Sequence, residues 1–421
     1  MSNDGLRLHP FRGLRYAPDR VGDLAAVTSP PYDVVVRPDG LDRLERAHPY
    51  NIVRLILPHA PDSSYRHRQA AETLRRWQAK GVLVTDPEPA LYVYEQRHGP
   101  AVQRGLIGAL RLTPPEDGVV LPHEDVMDEV VRDRADLMRA TATQLEPLLL
   151  SYRGDGADTG AAAEIETATS HPPLLTTTTE DGRRHRLWRI TDPDRVRRVT
   201  EDLTRYQALI ADGHHRWATY LRLREERGDT DPGPWDLGLV LLVDTARYPL
   251  QVQAIHRVLP RLDPATAVSR LGDHLRCRTV PGPLPRALDA LAAAEGNAFL
   301  LTGDGTYRLL DRPDEALLRR TVPTDRPHAW RTLDATVLHH ALLREVWRVP
   351  DDPEHVSYLH DAEAAAAQAE RLGGTAVLMR PVDEDTVRSL AAQGVTMPRK
   401  STSFGPKPAT GLVLRSLRTP H

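Results

Sequence analysis

The run Tyr206-Gln207-Ala208-Leu209-Ile210-Ala211-Asp212-Gly213-His214-His215-Arg216-Trp217 constrains this chain more than any other stretch. Ala208–Ala211 is apolar and has the length of a buried strand. Asp212-Gly213 breaks it. From His214 onward, Trp217, Tyr220 and Leu221 recur at the spacings of one helical face. The predicted unit is strand, tight turn, helix. Such a turn leaves the first helical N–H groups without intrahelical partners, at the positive end of the helix dipole. Gly213 lets a ligand approach the backbone, and His214, His215 and Arg216 add donors and positive charge. A phosphate group suits that setting. The plainer alternative makes Asp212 an N-cap and the histidines surface residues. The density of the Asp-Gly-His-His-Arg cluster favours the ligand.

With 421 residues the chain suits two or three packed units rather than one core. Short strands and helices alternate along it without a clean βαβ rhythm, so an α/β (α+β) fold with mixed sheets is expected. Strands are predicted at Asn51–Leu57, Val82–Val84, Ala90–Tyr94, Leu106–Leu112, His185–Ile190 and Leu237–Asp244. Helices are predicted from Ser63, with Ser63 or Ser64 as cap, to Lys80, and over Asp192–Leu203. Glu180-Asp181-Gly182 reads as a hairpin turn. Residues 261–320 alternate helices and strands between proline-rich joints and suggest a second unit. The expected division is an N-terminal α/β region over 1–250, carrying the phosphate turn, and a C-terminal α/β region over 251–421.

Composition narrows the function classes. A net charge of -3 and a pI near 6.7 give no general polyanion-binding surface, so nucleic acid is not an expected partner. The lone Cys277 allows no internal disulfide and no cysteine metal cluster. Met1–Gly13 lacks the apolar core of a signal peptide, and no run reaches the length of a membrane span. A cytoplasmic location without membrane association is the expectation, with a homodimer as one option for assembly.

Four other stretches carry chemistry. Ser29-Pro30-Pro31-Tyr32-Asp33 is a stiff turn that could hold Tyr32 and Asp33 in place, or an ordinary turn before a strand. Leu121-Pro122-His123-Glu124 follows a strand-like segment; it lacks the second histidine of a zinc-protease helix. Ile255-His256-Arg257-Val258 places a polar pair in an apolar run, where it either lines a pocket or forms an ion pair. Arg399-Lys400-Ser401-Thr402, in a proline-stiffened loop running to Lys407-Pro408, is either solvated surface or a closure over an anion. His339-His340 face different sides of a helix, so no shared metal is expected.

Taken together, His9-Pro10-Phe11-Arg12-Gly13, Pro30-Pro31-Tyr32-Asp33-Val34, Leu121-Pro122-His123-Glu124, Arg139-Ala140-Thr141, Ala211 through Arg216, His256-Arg257, and Met397-Pro398 through Lys407-Pro408 resemble a bacterial and archaeal family known as domain of unknown function 1015. The match runs along almost the whole chain. Asp212-Gly213-His214-His215-Arg216 is also similar to the strand-loop-helix phosphate motif of the ParB and sulfiredoxin superfamily, nearest to its free-serine kinases. Sulfiredoxin chemistry would need a cysteine where His214 stands. The chain departs from the family's pattern at Val126–Val131, where a Gly-Pro-Lys run is expected, and at Ser403-Phe404-Gly405, where an aromatic pair is usual.

The resemblance implies a small-molecule kinase, with ATP or ADP as phosphoryl donor and the hydroxyl of serine or a related amino acid as acceptor. Asp212, Gly213, His214, His215 and Arg216, with Lys400, Ser401 and Thr402, would hold the nucleotide. Glu124, Asp33 and His215 would serve catalysis, and Asp212 would hold Mg²⁺. The alternative is a nucleotide-binding switch of the ParB-like class, without phosphoryl transfer. A nuclease and an inactive scaffold are the remaining rivals.

Overall fold

The computed structural model describes residues 5–31, 38–58, 60, 62–228 and 232–418; the side chains of residues 38 and 39 lie outside that description. The chain forms two compact units, Met1–Leu250 with Pro406–His421, and Gln251–Gly405. The final segment, which the sequence reading gave to the C-terminal region, thus groups with the first unit. Among the described residues, no helix is long and apolar enough to cross a membrane.

The strands of the first unit, in chain order, are β1 (Leu8–His9), β2 (Gly13–Tyr16), β3 (Leu83–Thr85), β4 (Leu91–His98), β5 (Ala101–Arg111) and β6 (Val120–Leu121). They continue with β7 (Thr143–Gln144), β8 (Leu148–Tyr152), β9 (Leu175–Thr178), β10 (Arg184–Ile190), β11 (Ala208–Asp212) and β12 (Leu237–Asp244). A nine-stranded mixed sheet runs β6-β11-β8-β12-β5-β4-β10-β9, with β1 added on β5. Strands β8, β11 and β12 are buried along nearly their whole length, which explains their continuous rather than alternating apolar sequence. The hairpin between β9 and β10 turns at the expected Glu180–Gly182. A smaller sheet joins β3, β2, the strand Leu414–Ser416 and β7.

Helix His214–Arg227 lays Trp217, Tyr220 and Leu223 into the core beneath the large sheet. Each such apolar side chain contributes about 1.5–3 kcal/mol on burial. Leu221, expected on the same face, is only partly buried against that core.

Two local expectations are corrected. Asn51–Leu57 is not a strand: Val53–Ile56 is a short helix. Buried Asn51 accepts a hydrogen bond from the Val53 N–H through Oδ1 (3.0 Å) and so starts a helical turn. The cap of the next helix, Ser63–Ala79, is Asp62, whose carboxylate accepts from the Tyr65 N–H at 2.6 Å, rather than either serine.

The second unit carries β13 (Gln251–Gln253), β14 (His256–Leu259), β15 (Arg276–Val280), β16 (Ala298–Thr302), β17 (Tyr307–Asp311), β18 (Ser357–Leu359), β19 (Thr375–Leu378) and β20 (Ser403–Gly405). A six-stranded sheet runs β15-β17-β16-β19-β14-β18, and β13 pairs with β20. Helices Pro264–Leu271, Leu284–Ala292 and Ala362–Leu372 contribute buried residues to its cores.

Candidate functional site

Strands β6 and β11 are parallel, with Val120 opposite Ala208 and Leu121 opposite Leu209. The segments after them, His123-Glu124 and Gly213-His214, therefore leave the same end of the sheet. Strand β8 runs antiparallel to β11, so Glu146-Pro147, just before it, stands at that end too. The β11–β8 register shifts between Ile210 and Asp212, an irregularity that re-aims the last residue of the strand.

Gly213 makes the turn. Its φ of 103° lies in the left-handed region, and a Cβ there would sit 3.0 Å from Leu148 Cγ and 3.1 Å from Arg216 Nη2. Gly213 is also the N-cap of helix His214–Arg227, and no side chain caps that helix. Asp212 is thus not a cap; its carboxylate is turned to other partners.

Those partners are cations. Arg216 Nη2 lies 2.6 Å from Asp212 Oδ2, and Lys407 Nζ lies 2.7 Å from Asp212 Oδ1. Burial opposes ionisation of Asp212, but Lys407 and Arg216 outweigh it and hold its carboxyl below the usual range. Arg216 Nη1 donates to the Pro147 carbonyl at 3.0 Å and stands 3.8 Å from Glu146 Oε2. Glu146 in turn accepts from the Thr410 hydroxyl at 3.3 Å. Thr410 and Ser29 exchange backbone hydrogen bonds of 2.9 and 3.1 Å, which ties the Ser29-Pro30 turn to this end of the sheet. Asp33 and Tyr32 lie outside the described residues.

The histidines form a second layer. The His123 N–H donates to His214 Nε2 at 3.3 Å, which leaves the hydrogen of a neutral His214 on Nδ1, 3.8 Å from Glu124 Oε2. The two rings meet edge to face, with centroids 4.4 Å apart. Burial, with His123 and His215 nearby, pushes the His214 imidazole well below its ordinary range. Burial likewise takes His123 down to about 4, against a hydrogen bond to the Ile210 carbonyl and the charge of Asp212. The positive charge expected at His214 is therefore absent at neutral pH. His215 is half-buried and accepts from the Met127 N–H through Nε2 at 3.1 Å.

Among the sequence candidates, Glu124, Asp212, Gly213, His214, His215 and Arg216 come together at one sheet end. His214 and Arg216 are buried, which removes the surface-residue alternative for them. Sequence reading missed Lys407 and Glu146 as members. The signal for Lys407 was there, a lysine held between Pro406 and Pro408 in the basic loop. Lys400, Ser401 and Thr402 belong to the second unit. There Arg257 donates to the Lys400 carbonyl at 3.1 Å, the Ser401 hydroxyl donates to the Pro398 carbonyl, and Lys400 takes a left-handed φ of 56°.

The donor set at Asp212 does not suit Mg²⁺. Each of its carboxylate oxygens already faces a cation, and among the described residues no group of three or more His, Cys, Asp or Glu could hold a metal. A nucleotide phosphate fits better. An uncapped helix start with a lysine and an arginine close by can bind such a group.

No curated protein matches the chain. A conserved hypothetical protein from Pyrococcus furiosus is 16% identical, with 68% of this chain and 87% of that one covered and a TM-score of 0.33. A free serine kinase in complex with AMP is 16% identical, over 68% of this chain and 83% of that one, with a TM-score of 0.34. SbnI with a C-terminal truncation, from Staphylococcus aureus, is 11% identical over 70% and 82%, with a TM-score of 0.34. The model of the family described as protein of unknown function (DUF1015) matches residues 8–336, well over half of the chain, and the chain belongs to that family.

Proposed function

We propose that the chain is a small-molecule kinase that moves a phosphoryl group from ATP or ADP to the hydroxyl of free serine or a related amino acid. One observation carries this reading. The uncapped start of helix His214–Arg227 and the carboxylate of Glu124 leave the same end of two paired parallel strands, with Glu124 Oε2 3.8 Å from His214 Nδ1. An anion-binding backbone beside a carboxylate base is what phosphoryl transfer to an alcohol needs, since the reaction is mostly positioning and charge neutralisation.

In this reading the N–H groups at the helix start, His215 and Lys407 hold the phosphates. Asp212 keeps Lys407 and Arg216 in place. The acceptor oxygen attacks the terminal phosphorus, the bond to the leaving nucleotide oxygen breaks, and the hydroxyl proton passes to Glu124. Neutral His214, with its Nδ1 hydrogen facing Glu124, orients that carboxylate without cancelling its charge. Asp33 is a second candidate for ordering the acceptor. Any Mg²⁺ would be held by the nucleotide phosphates rather than by Asp212, and would supply charge neutralisation. The choice of serine rests on the Asp-Gly-His-His-Arg resemblance.

The test is to incubate the chain with labelled ATP or ADP, Mg²⁺ and a panel of serine, threonine and homoserine. Label is expected in one phosphoamino acid. Glu124→Gln is expected to keep nucleotide affinity while lowering kcat by about 10²–10⁴-fold. Nucleotide binding with no acceptor phosphorylated sinks the kinase and leaves the nucleotide-binding switch.

A further inference from the structure

The second unit holds a cavity of about 440 Å³, and every residue of its wall lies within that unit. Arg257 is part of the wall and only 1% exposed. It does not form the ion pair that a buried guanidinium ordinarily requires: among the described residues no carboxylate lies within ion-pair distance of it. Its contacts are neutral. It donates to the carbonyls of Ile255 and Lys400, and to His339 Nε2 at 3.1 Å, and it lies over the Tyr358 ring at 5.3 Å. Its Nε is buried and has no hydrogen-bond partner among the described residues. Burial accordingly pushes the guanidinium down to about 10, with Tyr358 and Asp351 acting the other way.

The other polar groups of the wall are already matched. Asp334 is paired with Arg380, whose Nε lies 2.9 Å away, and also accepts from Asn297 at 2.8 Å. Asp383 caps helix Glu384–Ala392, accepting from the Thr386 N–H at 2.8 Å and the Thr386 hydroxyl at 2.6 Å. The hydroxyls of Ser401 and Thr332 donate to the carbonyls of Pro398 and His328. Among the described residues Arg257 is therefore the charged group of the wall with neither an ion-pair nor a capping partner, while the wall's formal charges, Arg257 and Arg380 against Asp334 and Asp383, balance. Ile255, Leu333, Met379 and Val382 form the apolar part of a wall that is about as polar as it is apolar.

We propose that this cavity binds a small organic monocarboxylate, with the carboxylate against Arg257 and an apolar body against Ile255, Leu333, Met379 and Val382. A dianion such as phosphate is disfavoured, because one unmatched guanidinium meets a single charge and Asp383 also faces the cavity. The lack of free hydroxyl donors argues the same way, since phosphate demands several. The inference is independent of the phosphoryl-transfer reading.

The test is calorimetric titration of the full chain with sodium 4-methylpentanoate, neutral 4-methylpentanamide and inorganic phosphate. Saturable binding of the carboxylate is expected, with the amide weaker by about tenfold or more and phosphate not bound. Arg257→Gln is expected to weaken the carboxylate by about tenfold or more. Because Arg257 is buried and its loss threatens folding, Val382→Trp provides a second variant. It fills the cavity from a half-buried loop position and is expected to abolish binding with the circular dichroism spectrum unchanged. No saturable carboxylate binding up to about 10 mM, equal binding of the amide or of phosphate, or wild-type affinity in a folded Val382→Trp overturns the proposal.

Discussion

Lys407 Nζ and Asp212 Oδ1 meet at 2.7 Å, joining the segment that follows the second unit to the last residue of the strand that leads into the phosphate turn. Both side chains are 16% exposed, so water screens the pair only partly. Arg216 holds the other carboxylate oxygen, and the three charges form one unit.

Replacing Lys407 by Met is expected to lower stability by about 1–3 kcal/mol at neutral pH, because one charge-assisted hydrogen bond is lost while Arg216 remains. The pH dependence follows from the sign of the shift. Asp212 has a lowered folded pKa, so the pairing contributes fully above the unfolded carboxyl value and fades as pH falls through the folded one. Urea unfolding should therefore show a constant gap between wild type and Lys407→Met at pH 6–8, closing below about pH 4. A gap that widens in acid contradicts the assignment.

Gly213→Ala tests the turn. The substituted residue must keep φ near 103° with its Cβ 3.0 Å from Leu148 Cγ. A destabilisation of about 1–3 kcal/mol is expected. Gly228→Ala is the control: its φ of 69° and ψ of -167° lie in a region adopted essentially only by glycine, a backbone cost of about 1–3 kcal/mol, but a Cβ there meets nothing within 4 Å. If the kinase reading holds, Gly213→Ala also weakens nucleotide binding and Gly228→Ala does not.

Much of this site was readable in the chain because its signals are local. An apolar run of strand length, an Asp-Gly break and a helical face at Trp217 and Tyr220 lie within a few residues of one another. The reading failed where long-range packing decides. Asn51–Leu57 has an apolar run too short to separate strand from helix by period, and its burial in a helix-lined core set the outcome. Lys407 and Glu146 are far from Asp212 and Arg216 in sequence, and no spacing rule joins them. The charge state of His214 depended on burial, which the motif does not state. At Arg257 no carboxylate lies within ion-pair distance among the described residues, and the residue lines a cavity within the second unit.

The buried histidines predict an acid limb of their own. His123 falls to about 4 through burial, below the ordinary 6.5. A group with a depressed histidine pKa binds protons in the unfolded state first, so its stabilising contribution is full above about 6.5 and is lost on the way down to 4. His214 is shifted in the same direction. His123 contributes a slope of up to about 1.4 kcal/mol per pH unit in that window. His123→Gln, measured by urea unfolding at pH 7 and pH 5, should shrink the loss of stability between those two values. An unchanged loss argues that His123 is solvated.

Asn51 offers the sharpest test of the corrected segment. It is fully buried, its Nδ2 donates to the carbonyls of Ala26 (2.8 Å) and Thr28 (3.1 Å), and its Oδ1 accepts from the Val53 N–H. Asn51→Ala leaves the buried Thr28 carbonyl, the part-buried Ala26 carbonyl and one N–H short of a partner, at about 1–3 kcal/mol for each group that water cannot reach. Asn51→Asp keeps the acceptor that starts the helix but presents a second oxygen to two carbonyls, so it should be at least as damaging at pH 7 and partly relieved in acid, where a protonated carboxyl can donate once. Were Asn51–Leu57 a strand, neither variant would show this pH-dependent difference, and thermal unfolding of the two side by side at pH 7 and pH 4.5 distinguishes the cases.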